Sequence, residues 1–500
     1  MTDSNRRFSV ALATTIVLIV IAALAAALAG CAVGPEYVKP ATAVAPQFKG
    51  AQPVAGAAPG AVPGPYSGEE TQAKFWTQFG DATLDGLVDE ALAANHDLRI
   101  ALGHLVEARA VRRDAQFDLA PTVTASGGYT RERLSAAESL FGQPIDAHFY
   151  DAGFDAFWEL DFFGRVRRGV QAQSAQVQGA EASLRDAQVS VTAEVARTYF
   201  ELRGEQAQLA VARRNVDNER ETLQLTQQRL DAGRSTELDT SRAQAQLSTT
   251  LATIGPLQAA IARSIHRLAV LTGREPNALN ALLEAARELP DLPRITAVGD
   301  PGALLRRRPD IRVAERQLAA STALVGVAMG DLFPKVTFTG SFSYSAPELG
   351  SLGEVSSRGY VVGPSISWAA FDLGRVRAQI AGSRARADVA LAGYEQTVLR
   401  ALEETEDALV THARTRDSLQ DAAEAAVASR TAARLARTRY EGGLVDFLEV
   451  LDAERTQLSA EDRLAQSRTD AATSLIAVYK ALGGGWEMAP LPRYVRQAGG

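Results

Sequence analysis

One cysteine and five histidines in 500 residues leave this chain little material for catalysis or for a resident metal. With a single thiol, no disulfide forms within one chain, so any exported fold stands without a cysteine framework. His96, His104, His148, His266 and His412 are scattered, and none stands at a metal spacing such as H-E-x-x-H. A G-x-S-x-G elbow and a phosphate-binding glycine loop are both missing. Excess positive charge is missing too. The formal net charge is −7, and no basic stripe with interleaved aromatics occurs, which argues against a nucleic-acid binder. Arg306-Arg307-Arg308 is a local exception that runs into Pro309 at a helix start. Beyond Leu28 no apolar run reaches the ~18 residues of a membrane helix, so a span there has to be a closed β-barrel. Proline is absent between Gly164 and Gly233 and again between Gly374 and Gly443. At 1.5 Å per residue each stretch gives a helix of about 100 Å.

The N-terminus reads as an export signal. Arg6 and Arg7 precede an apolar run, Val10 to Leu28, which ends in Leu28-Ala29-Gly30-Cys31. The cysteine directly after small residues resembles the lipobox of bacterial lipoproteins. Residues 1–30 are then a signal peptide, and Cys31 carries an N-acyl and diacylglycerol lipid, the only covalent group expected and no cofactor. Uncleaved, the same run is long enough to anchor the chain. Ala32, being other than aspartate, favours the outer membrane under the same resemblance. From Ala41 to Gly68 the chain is rich in Ala, Pro and Gly, which reads as an extended tether (residues 31–68) ahead of Phe75-Trp76.

The remainder is an internal duplication. Asp97-Leu98-Arg99 recurs as Asp310-Ile311-Arg312, and Asp118-Leu119 with Pro121 as Asp331-Leu332 with Pro334, both at an offset of 213. Trp158 and Gly164-Arg165-Val166-Arg167 recur as Trp368 and Gly374-Arg375-Val376-Arg377, and Gly233 as Gly443, at 210. Residues 69–300 and 301–483 are then two repeats, each a helix, two strands and a long helical hairpin, with a tail at 484–500. Apolar and polar residues alternate around Val123–Tyr129, Tyr150–Asp161, Val336–Ser345 and Ser365–Trp368, the period of a β-strand. Run lengths near 10–13 residues suit tilted barrel strands. A soluble amphipathic sheet would look the same locally. Four strands cannot close a water-filled barrel alone, but three chains supply twelve. Asp151, Asp155, Glu159 and Asp161 would then face water and favour cations. The acidic group Glu403-Glu404 and Glu406-Asp407 reads as a solvated or lumen-facing helix surface.

Leu209, Val216, Leu223 and Leu230 repeat every seven residues, and Ala422, Ala426, Ser429, Ala433, Ala436 and Tyr440 step by four and three, the pattern of coiled-coil packing. Gly233 and the pair Gly442-Gly443 interrupt the helices as hairpin tips. Leu448 and Asp452 lie four apart on one helix face, where an exposed aspartate is ordinarily just solvated.

In order along the chain, Cys31-Ala32-Val33-Gly34-Pro35-Glu36-Tyr37, Phe75-Trp76 with Phe79-Gly80-Asp81, Arg307-Arg308-Pro309-Asp310-Ile311, Phe333-Pro334, Asp372-Leu373-Gly374-Arg375 and Ala481-Leu482-Gly483-Gly484-Gly485-Trp486 resemble the TolC-like outer membrane factors, in their lipidated OprM/NodT-type branch. The resemblance implies a mainly α fold with a β-barrel part. A homotrimer would form a twelve-stranded outer-membrane barrel and a periplasmic α-barrel of coiled-coil hairpins, with a belt near residues 69–95, 275–300 and 484–500. It implies an efflux duct, outer-membrane lipid around it, and two partners, a periplasmic adaptor protein and an inner-membrane RND-type pump. It places a periplasmic gate at Leu448 and Asp452, closed by bonds from Tyr440 and Arg455 to the neighbouring hairpin, with Asp231, Glu237 and Asp239 as candidate acceptors. Gly255-Pro256 has no counterpart in the second half and should kink its helix. A type I protein-secretion channel, or a non-pore periplasmic adaptor lipoprotein, are the alternatives.

Overall fold

The computed structural model describes residues 32–51, 66–69, 73–139, 142–293 and 296–486. Cys31, the leader before it and most of the expected tail lie outside them. In chain order the elements are β1 (Tyr66–Ser67), α1 (Ala82–Ala94), α2 (His96–Phe117), β2 (Thr122–Leu134), β3 (Ile145–Leu160), α3 (Arg165–Asp231), α4 (Glu237–Leu271), α5 (Asn280–Leu283), β4 (Thr296–Ala297), α6 (Pro301–Arg307), α7 (Pro309–Gly330), β5 (Lys335–Ala346), β6 (Arg358–Ser367), α8 (Leu373–Glu441) and α9 (Phe447–Ala481). The run α2-β2-β3-α3-α4 returns as α7-β5-β6-α8-α9. Helix lengths of 22, 67 and 35 residues are answered by 22, 69 and 35. The duplication reaches single hydrogen bonds. Trp158 Nε1 donates to the Leu119 carbonyl at 3.1 Å, and Trp368 Nε1 to that of Leu332 at 3.0 Å. α4 runs on through Pro256, which is exposed.

The chain divides into two compact units, each drawing on both repeats. The first holds residues up to 41, 105–181 and 313–395. Its antiparallel sheet has the order β2-β3-β5-β6, so β2 and β6 are its edges. Register sorts the side chains by face. Tyr129 pairs with Tyr150, Phe154 with Ala125 and Phe342, Trp158 with Phe338, and Val336 with Ile366. Val123, Tyr129, Phe154, Phe338, Phe342, Tyr360, Val362 and Ile366 on this face are exposed, an apolar surface that none of the described residues covers. The opposite face sets Asp155 between Thr124 and Ser341, and Asp151 between Gly128 and Ser345. The four acids expected there do not act alike. Glu159 is taken by the Arg165 fork, with Nε at 2.8 Å. Asp161 accepts from the Val166 and Arg167 backbone at 3.1 and 2.9 Å and from Arg167 Nε. It thereby caps the start of α3, as a carboxylate at a helix N-terminus does.

The N-terminal stretch of this unit is stapled down. Val33 N–H donates to the Phe163 carbonyl at 3.0 Å. Arg168, only 3% exposed, reaches the Val33 and Gly34 carbonyls and Glu36. Tyr37 donates to Glu315 at 3.0 Å beneath the Arg316 guanidinium. Gly34 has φ +100°, and a Cβ there would lie 2.4 Å from the Gly326 Cα, so no other residue fits.

The second unit holds residues 42–104, 182–312 and 396 onward. Its core packs Phe75, Trp76, Phe79 and the apolar face of α1 against Tyr199 and Phe200 of α3, Leu268 of α4, and Leu475 and Tyr479 of α9. Asp81 caps α1 through the Thr83 and Leu84 N–H groups and accepts from the Tyr199 hydroxyl. Phe48 is 2% exposed in a second cluster with Leu304, Leu409 and Leu482. Next to it, the Lys49 and Gly50 N–H groups hold Glu406 at 2.9 and 2.7 Å, and β1 pairs with β4. Rather than a free tether, both described ends of the Pro/Gly-rich stretch are packed on the body. The acidic group on α8 is in part spent: Glu406 on that backbone, Glu404 on Arg308. Among the described residues no group of acids, histidines or cysteines is arranged to hold a metal ion.

The expected heptad faces inward. Leu209, Val216, Ala422, Ala426, Ser429, Ala433 and Tyr440 are buried, as coiled-coil seams require.

Candidate gate at the hairpin tips

Both tips are built by the same device. Gly233 (φ +68°) donates to the Leu230 carbonyl at 2.8 Å, and Arg234 to that of Arg229 at 2.8 Å. Gly443 (φ +71°) donates to Tyr440 at 2.9 Å, and Leu444 to Arg439 at 2.9 Å. This paired closure needs a left-handed residue, which glycine supplies without strain. Gly442 is not in that conformation and extends the last turn through the Thr438 carbonyl. On the first tip Asp239 accepts from the Thr236 backbone and from both the Ser235 and Thr236 hydroxyls, restarting the helix as α4. Burial pushes its carboxyl up, but these bonds outweigh that and hold it below the usual range.

The tips share one small core, Ala243 with Tyr440, Phe447, Val450 and Leu451. Leu448 and Asp452 lie away from that core and are exposed, Leu448 by 56%. Tyr440 and Arg455 both reach the first hairpin of their own chain, by contacts other than those expected. Within the single chain the Tyr440 hydroxyl is buried without a hydrogen-bond partner among the described residues. Its ring lies 4.3 Å under the Arg229 guanidinium and 5.8 Å from Phe447, and its backbone carbonyl accepts from Arg229. The Arg455 acceptor is none of Asp231, Glu237 and Asp239. Nε donates to Gln246 Oε1 at 2.7 Å. Gln246 Nε2 donates onward to Glu219 Oε1 at 3.0 Å, and Thr250 Oγ1 donates to the same oxygen at 2.9 Å.

Further links join the hairpins. Arg437 meets Glu221 at 2.9 Å, Thr222 donates to Glu454 at 2.7 Å, and Gln208 donates to Asp462 at 2.9 Å. Burial pushes both the Glu219 and Glu454 carboxyls above the ordinary carboxylate range, against the bonds that each receives. Arg229, Glu219, Gln246 and Glu454 were not picked out from sequence. For Glu219 the signal was there: it stands three residues after Val216 and four before Leu223, so it falls on the buried seam.

Comparison with known proteins agrees with the duplicated layout. The model of the family described as outer membrane efflux protein matches residues 87–274 and 301–484. The outer membrane protein OprJ of Pseudomonas aeruginosa is 32% identical over 466 residues, 93% of this chain and 95% of that protein. The toluene efflux pump outer membrane protein TtgC of Pseudomonas putida is 31% identical, covering 94% and 96%. Among solved structures, the outer-membrane channel OprN superposes with a TM-score of 0.85 at 43% identity, over 92% of this chain and all of that one.

Proposed function

The chain belongs to the outer membrane efflux protein family and is an outer-membrane efflux channel component; from that premise we infer how it conducts and closes. The observation that supports a pore is the sheet, four strands with one continuous apolar face and two unpaired edges, β2 and β6. Such edges are not tolerated in lipid, where every backbone group needs a partner. Three copies joined edge to edge give a closed twelve-stranded barrel, apolar side to the bilayer and polar side to the lumen. Asp151 and Asp155, whose neighbours across the strands are Gly128, Thr124, Ser341 and Ser345, set the lumen's charge. Cys31, lipidated, adds a bilayer anchor to each protomer.

The hairpins of the three copies form the periplasmic duct, and their tips at Gly233 and Gly442-Gly443 meet a periplasmic adaptor fed by an RND-type pump. Leu448 and Asp452 from three chains line the constriction. Arg455 and Tyr440, tied to the first hairpin, hold it shut. No bond of the cargo is made or broken, and small organic molecules pass passively.

The test is single-channel conductance in planar bilayers of the wild type and of the double variant Asp452→Ala/Arg455→Ala. The expected result is a large rise in open conductance in the variant. A variant that conducts like the wild type would remove these residues from the gate. In cells, deletion of the gene should raise accumulation of antibiotics or solvents, restored by the wild-type chain.

A further inference from the structure

We propose that the gate is latched through a buried relay, Arg455 to the Gln246 carboxamide to the Glu219 carboxylate, and that a proton taken up by Glu219 releases it. This rests on the reading of Arg455 as a gate residue. Its basis is the polarity of one amide. Gln246 is 6% exposed, Glu219 4% and Thr250 1%, so none of the three turns to water for a substitute partner. Gln246 offers its oxygen to Arg455 and its nitrogen to Glu219. Turned over, the amide would set N–H against guanidinium and C=O against carboxylate, donor on donor and acceptor on acceptor. The ionised carboxylate therefore fixes the orientation that makes Gln246 an acceptor for Arg455. Once Glu219 carries a proton, on the unpartnered Oε2, the carboxyl is donor as well as acceptor. It no longer fixes the amide in one orientation, the negative charge that draws Arg455 through Gln246 is gone, and the latch weakens.

The surroundings give the sign. Glu219 Oε2 is buried and has no hydrogen-bond partner among the described residues. Burial raises the affinity of Glu219 for a proton, while Gln246, Thr250 and the charge of Arg455 lower it. From α9, Arg455 and Glu454 face this position, and the charge of Arg437 of α8, which pairs with Glu221, reaches Glu454 in turn. From α4 the neutral Gln246 and Thr250 reach it. On α3 itself, Asp217 and Arg220 pair with each other at the surface. When Arg455 leaves, Glu219 stays against α4 and loses its cation. The unlatched state then binds a proton more tightly, so acid favours opening.

The experiment is open probability of the reconstituted full-length channel at about pH 7.5 and about pH 5.5. It uses the wild type, Glu219→Gln, Gln246→Leu and Arg455→Ala, each checked for its assembled state by gel. The wild type should open several-fold more often in acid than at neutral pH. Glu219→Gln and Gln246→Leu should be as open at neutral pH as the wild type in acid, and should no longer respond to pH. A wild type indifferent to pH, or a Glu219→Gln channel that keeps the full response, overturns the relay. If Glu219→Gln does not assemble, Gln246→Leu decides by the same criterion. Arg455→Ala separates the two readings. If it stays closed, the gate assignment itself fails. If it opens while both relay variants behave as wild type, only the relay fails.

Discussion

Replacing Arg308 tests whether geometry or charge alone holds the start of the second repeat. The residue is 8% exposed and fully engaged. Nε and Nη2 fork onto Asp310 at 3.0 and 2.6 Å, Nη2 also meets Glu404 at 2.7 Å, and Nη1 donates to the Ala481 carbonyl at 3.0 Å. Hydrogen bonds to charged groups are worth about 1.5–3 kcal/mol each, but the full sum is too large here. Glu404 is 59% exposed and returns to water when freed, so its share falls to the surface value of under about 1 kcal/mol. Ala481 keeps a long contact from the Thr405 hydroxyl at 3.4 Å. Arg308→Met, which preserves length, should therefore cost about 3 kcal/mol, the low end for breaking a buried pair. Arg308→Lys keeps a point charge but not the planar fork, and should cost about 2 kcal/mol. The assay is the urea midpoint of the detergent-solubilised protein by tryptophan fluorescence. Trp486 is a close reporter, since its Nε1 donates to the Arg307 carbonyl at 3.2 Å. A lysine variant with the wild-type midpoint would refute the argument from the fork, and an unchanged methionine variant would refute any structural role.

Phe48→Ala should cost about 3–5 kcal/mol by emptying the pocket between Leu304, Leu409 and Leu482. Faster tryptic cleavage after Lys49 should report the release of the strap, and an unchanged cleavage rate would mean that the backbone bonds to Glu406 suffice. His412 bonds Ser474 at 3.1 Å inside the fold, and burial, aided by the charge of Arg416, pushes its pKa down to about 4. The folded chain keeps this ring neutral, so its contribution is whole above pH ~6.5 and is lost as pH falls from there to about 4, amounting to roughly 3 kcal/mol. His412→Gln should flatten that part of the pH–stability curve; an acid limb as steep as that of the wild type would assign it to other groups.

The parts legible in the sequence are those set by periodicity. Alternation placed all four strands, the seven-residue step found the buried seams of α3 and α8, and glycine marked both tips. What stayed hidden depends on contacts between distant segments. Arg308 was visible only as part of a motif. Its work becomes clear beside Asn95, which stands at the equivalent place, caps α2 through the Asp97 and Leu98 N–H groups, and donates to the Leu271 carbonyl at 2.9 Å. Leu271 answers to Ala481, so two unlike side chains hold the same joint. Phe48 was masked by the prolines and glycines after it, since composition cannot say whether an extended strand lies on a surface. Glu159 and Asp161 looked like free lumen charges because their partners, Arg165 and Arg167, meet them only after the chain turns at Phe162–Gly164.

Between Asp97 and Gly273 and their counterparts Asp310 and Gly483, the two halves differ in length in one place only. Three residues separate their registers, and the difference arises between Leu119 and Trp158, in the strand hairpin. From Trp158 through Gly164, Gly233 and Gly273 the correspondence with Trp368, Gly374, Gly443 and Gly483 holds without a slip. A helix turns about 100° per residue. One inserted residue in α3 would swing every side chain beyond it by that angle and turn Leu209 and Val216 out of their seam. The long helices thus act as a gauge whose graduations are single residues. The three-residue difference is confined to the strand hairpin, while the run from Trp158 to Gly233 is matched residue for residue by that from Trp368 to Gly443.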